Sequence, residues 1–377
     1  MAMLSWRTSI PTSRGACARA GGRAATPSFV AVARSDRTAS TSAPASFQQA
    51  STRVGRSADL LRVAASSTGV SAAARQEAEV APGVFEGFWF WRGHRIRYQR
   101  SGDQGEAVVL VHGFGGNADH WRKNTPVLGS SGQRAFAIDL LGYGYSDKPD
   151  PRAVPHNTIY CFPVWGEQLV DFINEVVGSP ATLSCNSVGG LAGLEAAIRA
   201  PEVVRGVQLL NISLRGLHVK RQSPVMRPLV AAFQRLLRET DLGRAFFGSI
   251  ARPQTVRSVL REAYGVKDAV TDELIDKILS PGLQPGAVDV FLDFISYSSG
   301  PLPEELLAQC TVPVSMLWGE ADPWESITLG RELLSQHACV TEFVPLPGIG
   351  HCPMDEAPDT VNPLIARFVA ACSSPKP

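Results

Sequence analysis

The chain lacks several things that would settle its class at once. Nowhere do about 18 apolar residues run together, so no membrane-spanning helix is expected. It has no C-x-x-C pair: its seven cysteines, Cys17, Cys161, Cys185, Cys310, Cys339, Cys352 and Cys372, are scattered and odd in number. They read as free thiols in a reducing compartment, neither a zinc site nor a disulfide framework, and no metal or other cofactor is expected. Neither the G-x-G-x-x-G pattern nor the P-loop lysine pattern occurs, which argues against a phosphate-cradling loop. Lysine is missing from the first 75 residues, which hold ten arginines and only two acids, Asp36 and Asp59. No internal repeat or low-complexity stretch occurs after them.

The formal net charge of +1 over 377 residues therefore hides an asymmetry. Residues 1–75 carry +8, leaving −7 for the rest. The positive charge sits in a segment rich in Ser, Thr, Ala and Arg, not in a folded basic stripe, so nucleic-acid binding is not expected. A segment of this composition without a long apolar core reads as an organellar transit peptide, of the chloroplast type. Residues 1–78 are set aside as that leader, with ordered structure expected from near Gly83. An apolar content of 44% can supply the remaining residues with a sizeable core.

The strand signals come first as a hairpin, Phe88-Trp89-Phe90-Trp91 and Arg95-Ile96-Arg97-Tyr98 around Gly93-His94, read as an edge strand packing on a core. Six unalternated apolar runs come after it: Ala107–Val111, Ala135–Leu140, Ala181–Ser184, Gly206–Leu210, Val312–Trp318 and Thr341–Leu346. Separated by helical patterns such as Phe162–Val177 and Gly190–Arg199, they imply an α/β fold with a mostly parallel, doubly wound sheet covered on both faces. Between residues 215 and 307 the rhythm turns helical, with patterns over Met226–Arg238, Pro253–Tyr264, Thr271–Leu279 and Ala287–Tyr297. This segment reads as a helical cap inserted into a core of residues 79–214 and 308–377. Its Val225, Met226, Leu229, Phe233, Phe246, Phe247, Ile250, Phe291, Phe294 and Tyr297 read as the cap's own core more than as walls of an apolar pocket.

The chemistry gathers where runs end. Cys185-Asn186-Ser187-Val188-Gly189-Gly190 stands between a strand and a helix, as a nucleophile elbow does. The strained turn demands small residues two before and two after the nucleophile. Gly189 meets that demand, and Cys185 stands where a glycine is usual. Ser187 needs a base to take its proton. His351, in Gly348-Ile349-Gly350-His351, is the candidate, and Asp322, in Trp318-Gly319-Glu320-Ala321-Asp322, would hold its tautomer. Glu320 and Glu325 are rival acids on the same turn. Two backbone N–H groups would stabilise an oxyanion: that of Val188, and that of Phe114 in the loop His112-Gly113-Phe114-Gly115-Gly116. Asp139 is expected to bond the Gly142-Tyr143-Gly144 turn, His112 to pack the loop, and Cys185 and Cys352 to carry no chemistry. His94, His120, His156, His218 and His337 belong to no constellation.

On these motifs, with Asn211-Ile212-Ser213-Leu214-Arg215, Trp318–Glu325 and Gly350-His351-Cys352-Pro353, the chain resembles the α/β-hydrolase superfamily over about residues 83–370. More narrowly it looks like the plastid chlorophyll dephytylases, relatives of pheophytinase. The cysteine before Asn186 is itself similar to that subgroup. The resemblance implies hydrolysis of the phytyl ester of chlorophyll or pheophytin, giving phytol and a chlorophyllide, with Ser187, Asp322 and His351 as the triad. It implies no bound cofactor, since magnesium arrives with the substrate, and a chloroplast site near thylakoid membranes, with peripheral contact. Other readings are another ester or C–C bond hydrolase and a ligand-binding protein on the same fold. Epoxide hydrolase and haloalkane dehalogenase chemistry is disfavoured, because those enzymes use aspartate where this chain has Ser187.

Overall fold

The computed structural model describes residues 77–216 and 218–373. The expected transit peptide lies outside the described residues, apart from its last two positions. Among the described residues nine strands form one sheet: β1 (Ala78–Ala81), β2 (Val84–Trp91), β3 (His94–Ser101), β4 (Ala107–Val111), β5 (Arg134–Ile138), β6 (Ala181–Asn186), β7 (Val204–Leu210), β8 (Val314–Gly319) and β9 (Val340–Leu346). Their lateral order is β1-β2-β3-β5-β4-β6-β7-β8-β9. The pairings up to β3–β5 are antiparallel, and every pairing from β5 to β9 is parallel. The hairpin forms because Arg92 (φ 50°) and Gly93 (φ 82°) both take positive φ, which a two-residue turn matched to strand twist requires.

The unalternated runs are strands buried on both faces. Along β4, Val109 and Val111 join one apolar cluster while Val108 and Leu110 join another. The first cluster packs α2 (Phe162–Phe172) and α3 (Gly189–Arg199) on one side of the sheet; the second packs α1 (Thr125–Ser130) and, at the chain's end, α12 (Pro358–Ser373) on the other. The fold is thus a doubly wound α/β sheet. Between β7 and β8 the chain is helical: α4 (Arg227–Glu239), α5 (Asp241–Ile250), α6 (Pro253–Ala263), α7 (Asp272–Gly282), α8 (Ala287–Ile295) and α9 (Pro303–Leu307). Then α10 (Ile327–Leu334) links β8 to β9, and α11 (Pro353–Glu356) precedes α12.

Four expectations need correction. Order begins before Gly83: β1 pairs with β2, and Glu77 accepts hydrogen bonds from Tyr98 (2.8 Å) and Arg100 (2.7 Å). The helix expected over Phe162–Val177 changes pitch at Ile173, and its last five residues form a wider π turn. A helix the sequence pattern did not show, α5, stands among those expected after residue 215. The apolar residues in and just before α4 are not all core, for Val225, Leu229 and Phe233 are 76%, 61% and 50% exposed. In the hairpin, Trp89 and Trp91 are buried and donate to Glu175 (2.9 Å) and Asp171 (2.8 Å), while Phe90 faces solvent.

One packing pair explains how a cysteine can stand before the β6–α3 turn. A Cβ placed on Gly193 of α3 would lie 2.6 Å from Cys185 Sγ but 3.7 Å from Cys185 Cβ. The thiol fills the room that Gly193 leaves. Gly193→Ala is therefore expected to destabilise the chain by about 1–3 kcal/mol through overpacking, more than the roughly 1 kcal/mol an alanine gains in a helix. Adding Cys185→Ala should recover most of the loss. A urea-denaturation double-mutant cycle measures this coupling, and additive effects would refute the pairing.

Candidate active site

The site is assembled at the carboxyl ends of the parallel strands. Between β6 and α3, Ser187 holds φ at 54°, a left-handed conformation that a side chain occupies only under strain. Its N–H donates to the Leu210 carbonyl at 3.0 Å, which pins the turn to β7. The turn also needs bare backbone around it: a Cβ on Gly113 would fall 2.9 Å from Ser187 Cβ, and one on Gly189 would fall 2.4 Å from the His112 carbonyl oxygen.

The three residues named from sequence meet there. Ser187 Oγ lies 2.9 Å from His351 Nε2, and His351 Nδ1 lies 2.7 Å from Asp322 Oδ2. With Asp322 accepting at Nδ1–H, Nε2 is left to accept the serine proton. Ser187 and His351 are buried, 8% and 6% exposed. Burial pushes the imidazole's pKa down, but the Asp322 carboxylate outweighs it, aided by Glu325 and Glu356, so the net shift is upward. Asp322 is held in turn. Its Oδ1 accepts from the N–H groups of Trp324 (2.8 Å) and Glu325 (3.1 Å), and its Oδ2 also accepts from Asn211 Nδ2 (2.7 Å). Asn211, at the end of β7 with φ 44°, accepts the Gly319 N–H at 2.9 Å as well.

The rival acids separate clearly. Glu320 is exposed, and its N–H donates to the Leu346 carbonyl. Glu325 is half-buried beside the triad, accepting from Ser213 Oγ (3.0 Å) and the Leu214 N–H (3.0 Å). Burial pushes its pKa up to about 7, against the pull of His351. It is a second carboxyl near the imidazole, not the one in contact with it.

The loop after β4 lies beside the serine. Among the described residues, neither the Phe114 N–H nor the Val188 N–H meets a backbone acceptor. Gly115 takes φ 71°, and the Gly116 N–H closes the loop on the Gly113 carbonyl at 3.1 Å. His112 is buried, donating from Nδ1 to Gly113 O (2.8 Å) and accepting the Leu140 N–H at Nε2 (3.1 Å), a pattern only the neutral ring can satisfy. Burial moves its pKa the same way, down. Asp139 bonds the Tyr145 N–H (2.7 Å) of the expected turn, and also the Ala118 N–H (2.6 Å) and buried Arg97 (3.3 Å). Cys185 and Cys352 are buried, and desolvation raises both thiols' pKa, away from nucleophilic thiolate.

Sequence reasoning missed the residues that hold the histidine loop. Glu356 Oε2 accepts from the N–H groups of Gly350 (2.9 Å), Gly265 (2.6 Å) and Val266 (3.0 Å), and its Oε1 from that of Cys352 (3.0 Å). It brackets His351 on both sides and ties it to the segment after α6. The spacing of five from His351 carries no periodic signal. His120, expected to have no constellation, belongs to one: its Nε2 is 2.9 Å from Tyr264 Oη, which donates to Asp355 (2.9 Å). Burial brings this histidine down to about 4, so the network is neutral at His120. Above the site, Trp324 stands edge-on to His351 at 5.0 Å between ring centroids, and Phe114 stacks on Phe294 (5.2 Å) and Phe291 (5.4 Å) of α8.

An organophosphonate that reacts with activated serine measures this arrangement without any substrate. Labelling should rise with pH as His351 loses its proton, because only the neutral ring can act as base. Asp322 raises that midpoint, so Asp322→Asn should move it down and slow labelling. Glu325→Gln should also lower it, by less, since one negative charge facing the imidazole is gone. Coupling to Glu325, which titrates at about 7, broadens the parent's acid limb, and Glu325→Gln should give a single-proton curve. A parent-like profile for Glu325→Gln would show that this carboxyl does not act on His351.

The likeness to known proteins agrees with the geometry. A family model described as "Alpha/beta hydrolase family" matches residues 108–364. Chloroplastic pheophytinase of Arabidopsis thaliana is 25% identical over 318 residues, covering 73% of this chain; the chain spans 64% of that protein's length. The uncharacterized hydrolase YugF of Bacillus subtilis (strain 168) is 25% identical over 276 residues, 72% of this chain and 92% of its own. Among solved structures, a serine hydrolase involved in carbazole degradation, the CarC enzyme, superimposes with a TM-score of 0.60 at 20% identity, over 76% of this chain and 99% of its own. The family model spans more than half of the chain and contains Ser187, Asp322 and His351, and the chain belongs to the α/β-hydrolase family.

Proposed function

We propose that this protein is a serine esterase that cleaves the phytyl ester of chlorophyll or pheophytin, releasing phytol and the macrocycle's carboxylate. One observation supports the esterase reading above all others: the unbroken chain from Ser187 Oγ through His351 to Asp322, at 2.9 and 2.7 Å. Ser187 attacks the ester carbonyl while His351 Nε2 takes its proton. Charge gathers on the carbonyl oxygen, where the Phe114 and Val188 N–H groups stabilise it. His351 returns the proton to the departing phytol oxygen, leaving an acyl-enzyme. It then removes a proton from water, which attacks the same carbonyl and frees Ser187. Asp322 stays ionised throughout and stabilises the imidazolium.

The substrate class rests on weaker but converging support. The similarity to a protein named pheophytinase points to a phytyl ester, and the arginine-rich leader to the plastid. The rings of Phe114, Phe291 and Phe294 beside the serine suit a C20 isoprenoid or a flat macrocycle. No resident cofactor enters the steps above, and magnesium, where present, travels with the substrate.

Incubation of the protein with detergent-dispersed chlorophyll or pheophytin should release free phytol, read by chromatography. Ser187→Ala should lower kcat by on the order of 10⁶-fold, and Asp322→Asn by roughly 10⁴-fold. Hydrolysis of short acyl esters without phytol release would discard the pigment reading and keep the esterase.

A further inference from the structure

Helix α4 uses only part of its apolar face. Leu237 is buried, and Gln234 donates to the Ile295 carbonyl of α8 at 3.0 Å. The rest is bare. Leu229, Phe233 and Leu236 recur at four and three residues, so they share one face, and they are 61%, 50% and 43% exposed. Val225, in the turn before α4, is 76% exposed, and Leu242 of the adjoining α5 is 59% exposed. Isolated exposed leucines need no explanation, but four large apolar side chains on two adjoining helices and a fifth in the turn before them form a patch that soluble surfaces seldom leave uncovered.

The charge around the patch is net positive. Residues 220–261 contain nine Lys and Arg against two acids, Glu239 and Asp241. Four of the nine pair with acids outside that segment, Lys220 with Glu305, Arg221 with Glu304, Arg244 with Asp289 and Arg257 with Asp272, which leaves five cations, Arg227, Arg235, Arg238, Arg252 and Arg261, against the two acids. Glu239 is shared by Arg235 and Arg238, so it does not neutralise both. A second copy of this chain would bring the same surplus against itself. An apolar helical stripe flanked by arginines fits instead the boundary of an anionic bilayer, where apolar side chains enter the acyl layer and guanidiniums meet headgroups. The patch also leads inward: Phe247 of α5 lies 5.2 Å from Phe291, and Phe291 lies 5.4 Å from Phe114 in the loop beside Ser187.

We propose that the outer face of α4 and α5 docks on the surface of an anionic lipid bilayer and brings the Ser187 site to an ester dissolved there. The docking stands on the surface alone. The delivery clause rests on the esterase reading above.

The test compares the full chain with its Leu229→Ser/Phe233→Ser/Leu242→Ser variant; both carry the arginine-rich first 75 residues, so the leader cancels. Each is sedimented with vesicles of phosphatidylcholine alone and of phosphatidylcholine mixed with phosphatidylglycerol. The parent should bind the anionic vesicles and release them as salt rises. The variant's partition coefficient should fall roughly a hundredfold or more, since three large apolar side chains no longer enter the bilayer. Its Ser187 labelling by a soluble organophosphonate should match the parent's, which shows that the variant is folded. Equal binding by parent and variant, or no binding by either, overturns the proposal. So does a parent dimer that the variant abolishes, because the face would then belong to a second copy. A parent that binds vesicles but cleaves no phytyl ester retains the docking and loses the substrate reading. One that cleaves detergent-dispersed ester yet ignores vesicles does the reverse.

Discussion

One residue in an unfavourable conformation organises this molecule. Ser187 has φ 54° with a side chain attached, and its surroundings hold it there. Gly113 and Gly189 leave bare backbone where a Cβ would collide, Gly193 leaves space for the Cys185 thiol, and the Leu210 carbonyl takes the turn's N–H. The strain has a chemical use: it lifts Oγ clear of β6 and into reach of an imidazole that arrives 164 residues later in the chain.

Buried carboxylates hold the loops that converge on that serine. Asp139 ties the Gly142–Gly144 turn to the start of the Ala118–Trp121 helical turn; Asp322 caps its own loop through Trp324 and Glu325; Glu325 holds the segment after β7 at Leu214; Glu356 takes four backbone N–H groups around His351. Each is a charged or titrating acceptor bonded to backbone donors, the arrangement that is strong when satisfied and costly when broken. Loops at strand ends are otherwise the most mobile part of such a fold. Here they are braced by carboxylates of which three, Asp322, Glu325 and Glu356, also raise His351's affinity for its proton.

Much of this was legible in sequence, for particular reasons. A strand buried on both faces reads as a continuous apolar run, and each of the six runs matches a strand to within about two residues. The elbow shows itself because a strained turn excludes bulky neighbours, and the order serine, acid, histidine narrows the partners to short segments. Legibility failed where periodicity failed. The four residues of β1 are all exposed and have no alternation to detect. Helix α5 holds Gly243 and Gly248, which read as punctuation; Gly243 is there because a Cβ would strike the Leu237 carbonyl. Glu356 and Asn211 act on residues distant in the chain or across strands, and no local pattern marks such a bond.

The order of strands and helices, the position of the nucleophile and the candidate partners were determined by sequence alone, because burial and backbone strain act on neighbouring residues and leave local signatures. Tertiary structure decided which carboxylate meets the imidazole. Glu320, Asp322 and Glu325 lie within six positions of one another, and the bend between β8 and α10 sends one to solvent, one to His351 and one to Ser213. It also decided that Leu229, Phe233 and Leu236 of α4 would stay uncovered. Amphipathic spacing says that a helix has an apolar face, but only the neighbours it packs against determine how much of that face is left for something else.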